Sequence, residues 1–574
     1  MISKSSLKLF ASVFIALTLI IVSACSSNPV SNSSEANQNA EKSASQNADS
    51  SNSSGSQNQT GKSINVTFFA SPSRNVIDLK TNWFTQYVEK QFNLKINWLI
   101  TPASDVTTKQ PLLLGSGDYP EVFWNGNFSP SDILKYSQQG ILIPLNDLIK
   151  QYAPNVQKAI DTIPGLKEIS MAPDGNIYGL PNYNWCFHCF WSSKFWINTK
   201  LLQDNGLQMP TTTEEFEHVL QVFKDKGLIP LTGSVDGWHQ DPTVFLMNAF
   251  IYNNGTDYLD VSNGQVRFSP AQPEWKEGLQ YIHELYAKGL LDQQALTQKQ
   301  DIVIRDLSQH KAGVVAAGGS NNVIENGDAN PEFKYWLSVP PLKGPNGVQY
   351  AGFFGNAPNT LTFAITNRAT KEQEIALMKL LNFIWTPEGT QILDFGQEGT
   401  YWKKSNQNEL GLDGKPGLFN TDWNKFYSGN ARQNDGWDQM GPIFQSMEWR
   451  NGGVAIPPFG PGGAQTLLHL ETMRNYAGHQ PKQVYPGAVW IPVDQNQQYA
   501  MYKTNINKYV QQWSTEFIAG TKSIDKDWAS YLKGLEGLGL KQFIEMSQKY
   551  MGKPFDTSSF QSDPSVVDYL LKLK

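Results

Sequence analysis

Hydrophobic and polar positions follow two rhythms along this chain of 574 residues. Residues 64–70 form a β-branched and aromatic run that Ser71, Pro72 and Ser73 break, the pattern of a strand entering a loop. Residues 82–92 carry apolar side chains at 83, 84, 87, 88 and 92, and steps of three and four mark an amphipathic helix. A second strand pattern covers 94–100, residues 109–114 fit a helix end, and 121–124 read as a third strand. This β-α-β-α-β start predicts a parallel sheet with helices on its faces. A second series begins near Phe190, with a strand at 195–197, a helix over 198–205 and a helix start at 210–215. That start has Thr at the N-cap and acids in the first turn. Residues 228–232, 312–317 and 361–365 read as short buried strands, and 371–385 as a long helix. The expected fold is α/β, with two lobes that are each a mixed, mostly parallel sheet flanked by helices. Chain crossings between the lobes leave a cleft, and ligands of open α/β sheets bind beyond the carboxyl ends of strands.

The amino end follows a different rule. Lys4 and Lys8 precede an uncharged, mostly apolar run of 16 residues, 9–24. A membrane span needs about 20 such residues, so the run suits a signal-peptide core. It ends Val22-Ser23-Ala24-Cys25, which resembles a bacterial lipobox. The resemblance implies cleavage before Cys25 and a diacylglycerol on its thiol, making 1–24 a lipoprotein signal peptide. Residues 26–61 are Ser, Asn, Gln and Ala almost throughout. They cannot bury enough surface to offset the entropy of ordering, so 25–62 read as a lipidated cysteine and a disordered tether. A coil of that length reaches roughly 30–36 Å. No later stretch approaches 18 consecutive apolar residues, which leaves the lipid as the only expected membrane contact.

Composition narrows the function classes. Aromatic residues are 12% of the chain and include 17 Trp, enough for large cores. The formal charge of −6, or −8 without Lys4 and Lys8, argues against a nucleic-acid partner. Three cysteines cannot build a disulfide framework. The Trp count poses a question: these rings are either buried or displayed to a ligand.

Several blocks in order carry a family likeness. They are 134–149, with Gly140-Ile141-Leu142-Ile143-Pro144-Leu145; 175–181, with Ile177-Tyr178-Gly179-Leu180-Pro181; and 197–202 followed by Met209-Pro210-Thr211-Thr212. Further on come Trp385-Thr386-Pro387-Glu388-Gly389, residues 395–402, and the tail around 516–520, 527–528 and 535–540. Together they resemble the bacterial extracellular solute-binding proteins, and more narrowly the large sugar-binding lipoproteins of carbohydrate ABC importers. The resemblance covers most of 63–574. It implies a two-lobed periplasmic-binding-protein-like fold of type II, with lobe 1 from 63–190 and about 352–425. Lobe 2 takes 191–351 and about 426–574, with the C-terminal helices packing on either. It also implies hinge closure on an oligosaccharide without chemistry or cofactor, and ABC permease subunits as partners. The protein is then a monomer on the outer face of the bacterial cell membrane. A folded part of about 510 residues favours a cleft long enough for an oligomer.

Sugars present apolar C–H faces and rims of hydroxyls, so their sites pair aromatic rings with planar polar groups at strand ends. Five places fit. Trp124 and Asn125 precede Gly126-Asn127 after a strand, and Ser71 and Arg74 follow the first strand. Asp236, Trp238, His239 and Asp241 lie on the loop after 228–232. Trp185 and Trp191 lie in the aromatic stretch 183–196, whose alternation predicts a strand crossing the hinge, with core packing expected for Phe195 and Trp196. Trp449 and Arg450 sit in a polar-aromatic loop at 448–452. At each place core packing is the competing reading. Gly318 and Gly319 end another strand and either admit a ligand to the backbone or simply turn it.

Other motifs carry less. Cys186-Phe187-His188-Cys189 lacks the second pair that zinc needs, so no metal is expected. In an oxidising exterior it reads as a disulfide or two thiols. Asp174-Gly175-Asn176 reads as a hairpin turn without the rest of a calcium loop. There is no G-x-S-x-G and no P-loop, and His283-Glu284 lacks the second His of a zinc protease. The chain therefore reads as a binding protein rather than an enzyme. The competing readings are a receptor for a peptide-like solute, a binding subunit paired with a sensor kinase, and a surface glycoside hydrolase or lyase.

Overall fold

Two sheets organise the chain. The computed structural model describes residues 62–325, 330–355, 360–427 and 432–573. Cys25, the leader and nearly all of the expected tether lie outside the described residues. In the first sheet Ile64–Ala70 pairs in parallel with Leu94–Ile100 on one side and Val122–Phe123 on the other. Leu361–Ile365 then adds antiparallel to Val122–Phe123, and Leu180–Pro181 closes the edge antiparallel to it. The second sheet runs Trp336–Ser338, Phe195–Asn198, Ala312–Ala316, Ile229–Thr232. Only its last pairing is parallel. Both sheets are mixed, and their parallel share is smaller than the β-α-β start implies, because strands returning from a crossing enter antiparallel.

Local chemistry sets the helices where the pattern places them. Asn82 caps Trp83–Gln91 by accepting from the Phe84 and Thr85 amides, and its own amide group donates to Gly436 O at 2.9 Å. Thr212 and Glu215 form a reciprocal capping box before Thr213–Asp225. Thr370 and Gln373 do the same before Lys371–Ile384. The Asp174-Gly175-Asn176 turn is present, with Asp174 accepting from the Asn176 amide at 2.9 Å below a Met171–Ile177 bridge.

Each sheet heads its own core. The first gathers buried residues between 66 and 183, between 361 and 393, and again Trp437, Met440, Ile443 and Phe444. The second draws on 190–353 and on the helices Val493–Ile518, Ile524–Gly537 and Leu540–Tyr550. Residues 488–491 link the two in strand fashion: Ala488 and Trp490 pack on the first core, Val489 and Ile491 on the second. Trp490 Nε1 donates to Glu168 O at 2.9 Å, and Ser131 Oγ donates to Ile491 O at 3.2 Å. Among the described residues no helix is long and apolar enough to cross a membrane.

The crossing at 183–196 differs from the expected strand. Tyr183–Asn184 pairs in parallel with Phe444–Gln445, and the chain then tightens into a 3₁₀ turn, Phe187–Trp191. Cys186 and Cys189 are joined in a disulfide with their Cα atoms 5.1 Å apart. An extended chain would separate them by roughly 10 Å, so the bond and a strand exclude each other.

Gly389 shows how tightly the helices meet. A Cβ there would overlap the backbone of Phe383, at the turn between Lys371–Ile384 and Pro387–Phe395. Gly389→Ala is expected to destabilise the protein by about 1–3 kcal/mol, read from its urea midpoint at constant m. An unchanged midpoint would show that the turn relaxes freely.

Candidate functional site

Residues of the turn after Asn184 and of later segments line a small cavity of about 50 Å³ that opens to solvent. Its walls come from five distant stretches: 186–188, Gln391, 412–423, 449–456 and 462–469. Phe187, Trp423 and Trp449 supply rings, and His188, Arg450, Asn451, Gln465 and His469 supply polar groups. No carboxylate is among the described lining residues.

Trp449 is held from three sides. Ser446 caps its short helix by accepting from the Trp449 amide at 3.2 Å. The indole lies nearly parallel to Phe395, with ring centroids 6.5 Å apart, and the Arg450 guanidinium sits 5.2 Å from its centroid. The ring is 4% exposed, and its Nε1 has no protein acceptor. A buried donor without a partner carries a desolvation cost that a hydroxyl acceptor would remove.

Behind Trp449 runs a polar chain. Arg450 Nε and Nη2 donate to Asn184 Oδ1 at 3.0 and 2.8 Å, and Nη2 also donates to Gln445 Oε1. Gln445 Nε2 donates to Asp394 Oδ2 at 2.5 Å, and the Gln439 amide donates to Asp394 Oδ1 at 3.2 Å. Burial pushes the Asp394 carboxyl up to about 7, and Asp438 adds to the rise. Burial, with Lys194, Arg450 and His469 nearby, holds His188 well below the usual imidazole value. Burial likewise lowers His469 to about 4. Both rings therefore line the cavity as neutral imidazoles at pH 7, able to donate from one nitrogen and accept at the other.

A second group of polar and aromatic side chains forms at the carboxyl ends of Ile229–Thr232 and Ala312–Ala316, which are parallel neighbours. Trp238 is 40% exposed and lies against Gly318, where any Cβ would overlap the indole. His239 has φ +51° and stands 4.3 Å from the Phe354 ring. At the matching end of the first sheet Asn125 Nδ2 donates to Ser71 O at 2.8 Å, Ser71 Oγ is buried without a partner, and Arg74 is exposed.

The structure thus sorts the candidates. Trp449 and Arg450 come together at the cavity, beside Asn184. Trp238 and His239 share the second sheet's edge, and Ser71, Arg74 and Asn125 lie at the first sheet's strand ends. Trp185 is half-buried, stacked on Phe560 at 5.3 Å and edge-on to Phe190. Trp124 and Trp191, expected at the cleft, are fully buried in this structure and present no face to solvent. Trp124 sits among Phe68, Phe363 and Trp437 and donates to Met440 O at 3.3 Å. Trp191 packs against Phe187 and Phe353. Two acids are already engaged: Asp241 caps Pro242–Met247, and exposed Asp236 accepts from the Gln300 amide at 2.8 Å. Sequence reasoning missed Phe187, His188, Trp423 and His469 as cavity residues. The aromatic C-F-H-C stretch carried the signal for the first two.

Known proteins resemble this chain in sequence and fold. The family profile described as bacterial extracellular solute-binding protein matches residues 78–391. The fructooligosaccharide ABC transporter substrate-binding protein FusA of Streptococcus pneumoniae serotype 4 (strain ATCC BAA-334 / TIGR4) is 27% identical over 488 residues, 81% of this chain and 86% of that one. A solved structure of S. pneumoniae FusA, an EF-hand mutant in complex with fructo-nystose, matches with TM-score 0.70 at 25% identity over 85% of this chain and 99% of the other. An extracellular solute-binding protein from Bifidobacterium longum subsp. infantis matches in fold, with TM-score 0.72 at 18% identity over 86% and 99% of the two chains.

Asp394 makes the polar chain sensitive to pH. Its folded pKa lies above its ordinary value of 3.8, so its contribution to stability is complete below that value and is lost as pH rises through about 7. Asp394→Asn is expected to gain about 2 kcal/mol relative to wild type between pH 5 and pH 8, read from urea midpoints at each pH. A difference that stays constant across that range would show that the carboxyl is ionised throughout.

Proposed function

This chain belongs to the bacterial extracellular solute-binding protein family, and on that premise we propose that it captures an oligosaccharide between two lobes and passes it to an ABC importer. The observation that carries the reading is the crossing cavity. It combines a ring with an unpartnered Nε1, two neutral imidazoles and a guanidinium braced by amides, which is a lining suited to hydroxyl rims and apolar sugar faces. FusA supports the class of ligand, since its solved complexes hold kestose and fructo-nystose. The lobes follow the two cores, with the first taking in residues 437–444 as well as 361–393. Closure is a hinge motion about the crossings at 183–195 and 445–464. Trp238, His239, Ser71, Arg74 and Asn125 at the strand ends form the rims that close on the bound sugar. The protein acts as a monomer outside the cell, where the ligand and the importer's permease meet it, anchored through lipid on Cys25.

Calorimetry against kestose and fructo-nystose is expected to show binding that Trp449→Ala weakens by about 30-fold, the equivalent of about 2 kcal/mol. Protein fluorescence should change on binding, with no sugar product formed. Absence of binding to a panel of fructo-, gluco- and uronate oligosaccharides would overturn the sugar reading in favour of a peptide-like solute. For the anchor, Cys25→Ser should abolish incorporation of labelled palmitate and release the protein to the medium. Labelling that persists would place the lipid elsewhere and overturn the assignment to Cys25.

A further inference from the structure

The paired cysteines stand at the wall of the cavity. Cys186, Phe187 and His188 line it, while Phe190 and Trp191, on the same turn, are buried in the second core. One short segment therefore shapes the cavity on one side and grips a lobe on the other. A 3₁₀ run of five residues is longer than such turns usually are, and its intrinsic hydrogen bonds are poor. Tertiary restraints hold it instead. Lys194 Nζ, fully buried, donates to His188 O at 2.8 Å and to Trp191 O, and Ser192 Oγ donates to Cys189 O. The covalent restraint is the Cys186–Cys189 bond. His188 Nε2 lies 3.4 Å from Cys186 Sγ, and the Phe187 ring sits 5.0 Å from His469 across the cavity's edge.

The size of the covalent ring decides what the bond does. A link between residues three apart removes little freedom from the unfolded chain compared with one closing a long loop. Its effect is therefore concentrated on local shape. We propose that the Cys186–Cys189 disulfide is a positioning element of the ligand cavity. It holds Phe187 and His188 in the wall, so that affinity for the solute depends on the bond being closed. This inference rests on the crossing cavity being the place of solute capture. Opening the bond frees Cys186 to move away from Cys189, lets the turn extend, and withdraws Phe187 from His469.

The test reduces the folded protein with dithiothreitol. The reagent becomes its cyclic disulfide and delivers two electrons and two protons, leaving two cysteine thiols. A chelator is included, because both sulfurs and a His188 nitrogen lie within 4.8 Å of one another and reduced thiols attract soft cations. C186S/C189S serves as the permanent open form, and reduction in place covers the case in which that variant does not fold. Kestose affinity is expected to fall at least tenfold in both open forms, mainly through faster dissociation, with little change in the urea midpoint. Phe187→Ala and C186S/C189S should combine to less than the sum of their separate losses, since they remove the same wall. Affinity within twofold of the oxidised protein would overturn the inference. If no sugar binds even the oxidised protein, the oligosaccharide reading has failed by itself. Hydrogen exchange then decides the inference: faster exchange at 186–193 and 449–454 on reduction supports it, and unchanged exchange there overturns it.

Discussion

The pairing of Leu361–Ile365 between Val122–Phe123 and Leu180–Pro181 ties the halves of the molecule into one frame. A strand from far along the chain completes a sheet begun at residue 64, after the chain has left to build the second sheet. The first departure and return of the chain follow from that insertion. The chain leaves the first sheet after Pro181 and rejoins it at Leu361, and the cavity takes its walls from the stretch just after that departure and from segments beyond the return.

Those segments bring polar groups into a buried place, where the groups are satisfied in series. Asn184, Arg450, Gln445 and Asp394 pass hydrogen bonds from the crossing strand to the end of Pro387–Phe395. In a low-dielectric setting such a chain is rigid when every member is paired and costly when one is lost. Burial leaves Asp394 readily protonated rather than fully charged, which lessens the penalty of placing a carboxyl beside Asp438. The ring of Trp449, against which the Arg450 guanidinium lies, is thus set on a stiff support.

Much of the fold was legible because it is local. Residues 64–70, 94–100 and 361–365 carry their strand pattern in their own composition, and Thr212 with Glu215 announces a helix start within four positions. The site was legible only in part, for a physical reason. Trp124 and Trp449 look alike in sequence, each a Trp near a turn with polar neighbours. Trp124 is hidden by Trp437 and Met440, more than 300 positions later, and no local pattern states that cover. Trp449 lies over Phe395 and opens on the cavity because helix Ala464–Asn475 forms the opposite wall. The crossing at 183–196 was misread as a strand because alternation of aromatic residues does not reveal a covalent link between positions three apart.

The split first core has a consequence for how the protein comes to be. An exported chain emerges amino end first, so Phe68 and Trp124 reach the outside long before Phe363 and Trp437, against which Trp124 packs. During that interval the first sheet has two parallel neighbours and no closing edge, and its aromatic face stays wet. Contacts of such sequence separation make folding slow and leave sticky intermediates. The second core is split in the same way, since it takes in the helices Val493–Ile518, Ile524–Gly537 and Leu540–Tyr550, which emerge last. The first sheet waits for its last strand, and the second core waits for its last helices.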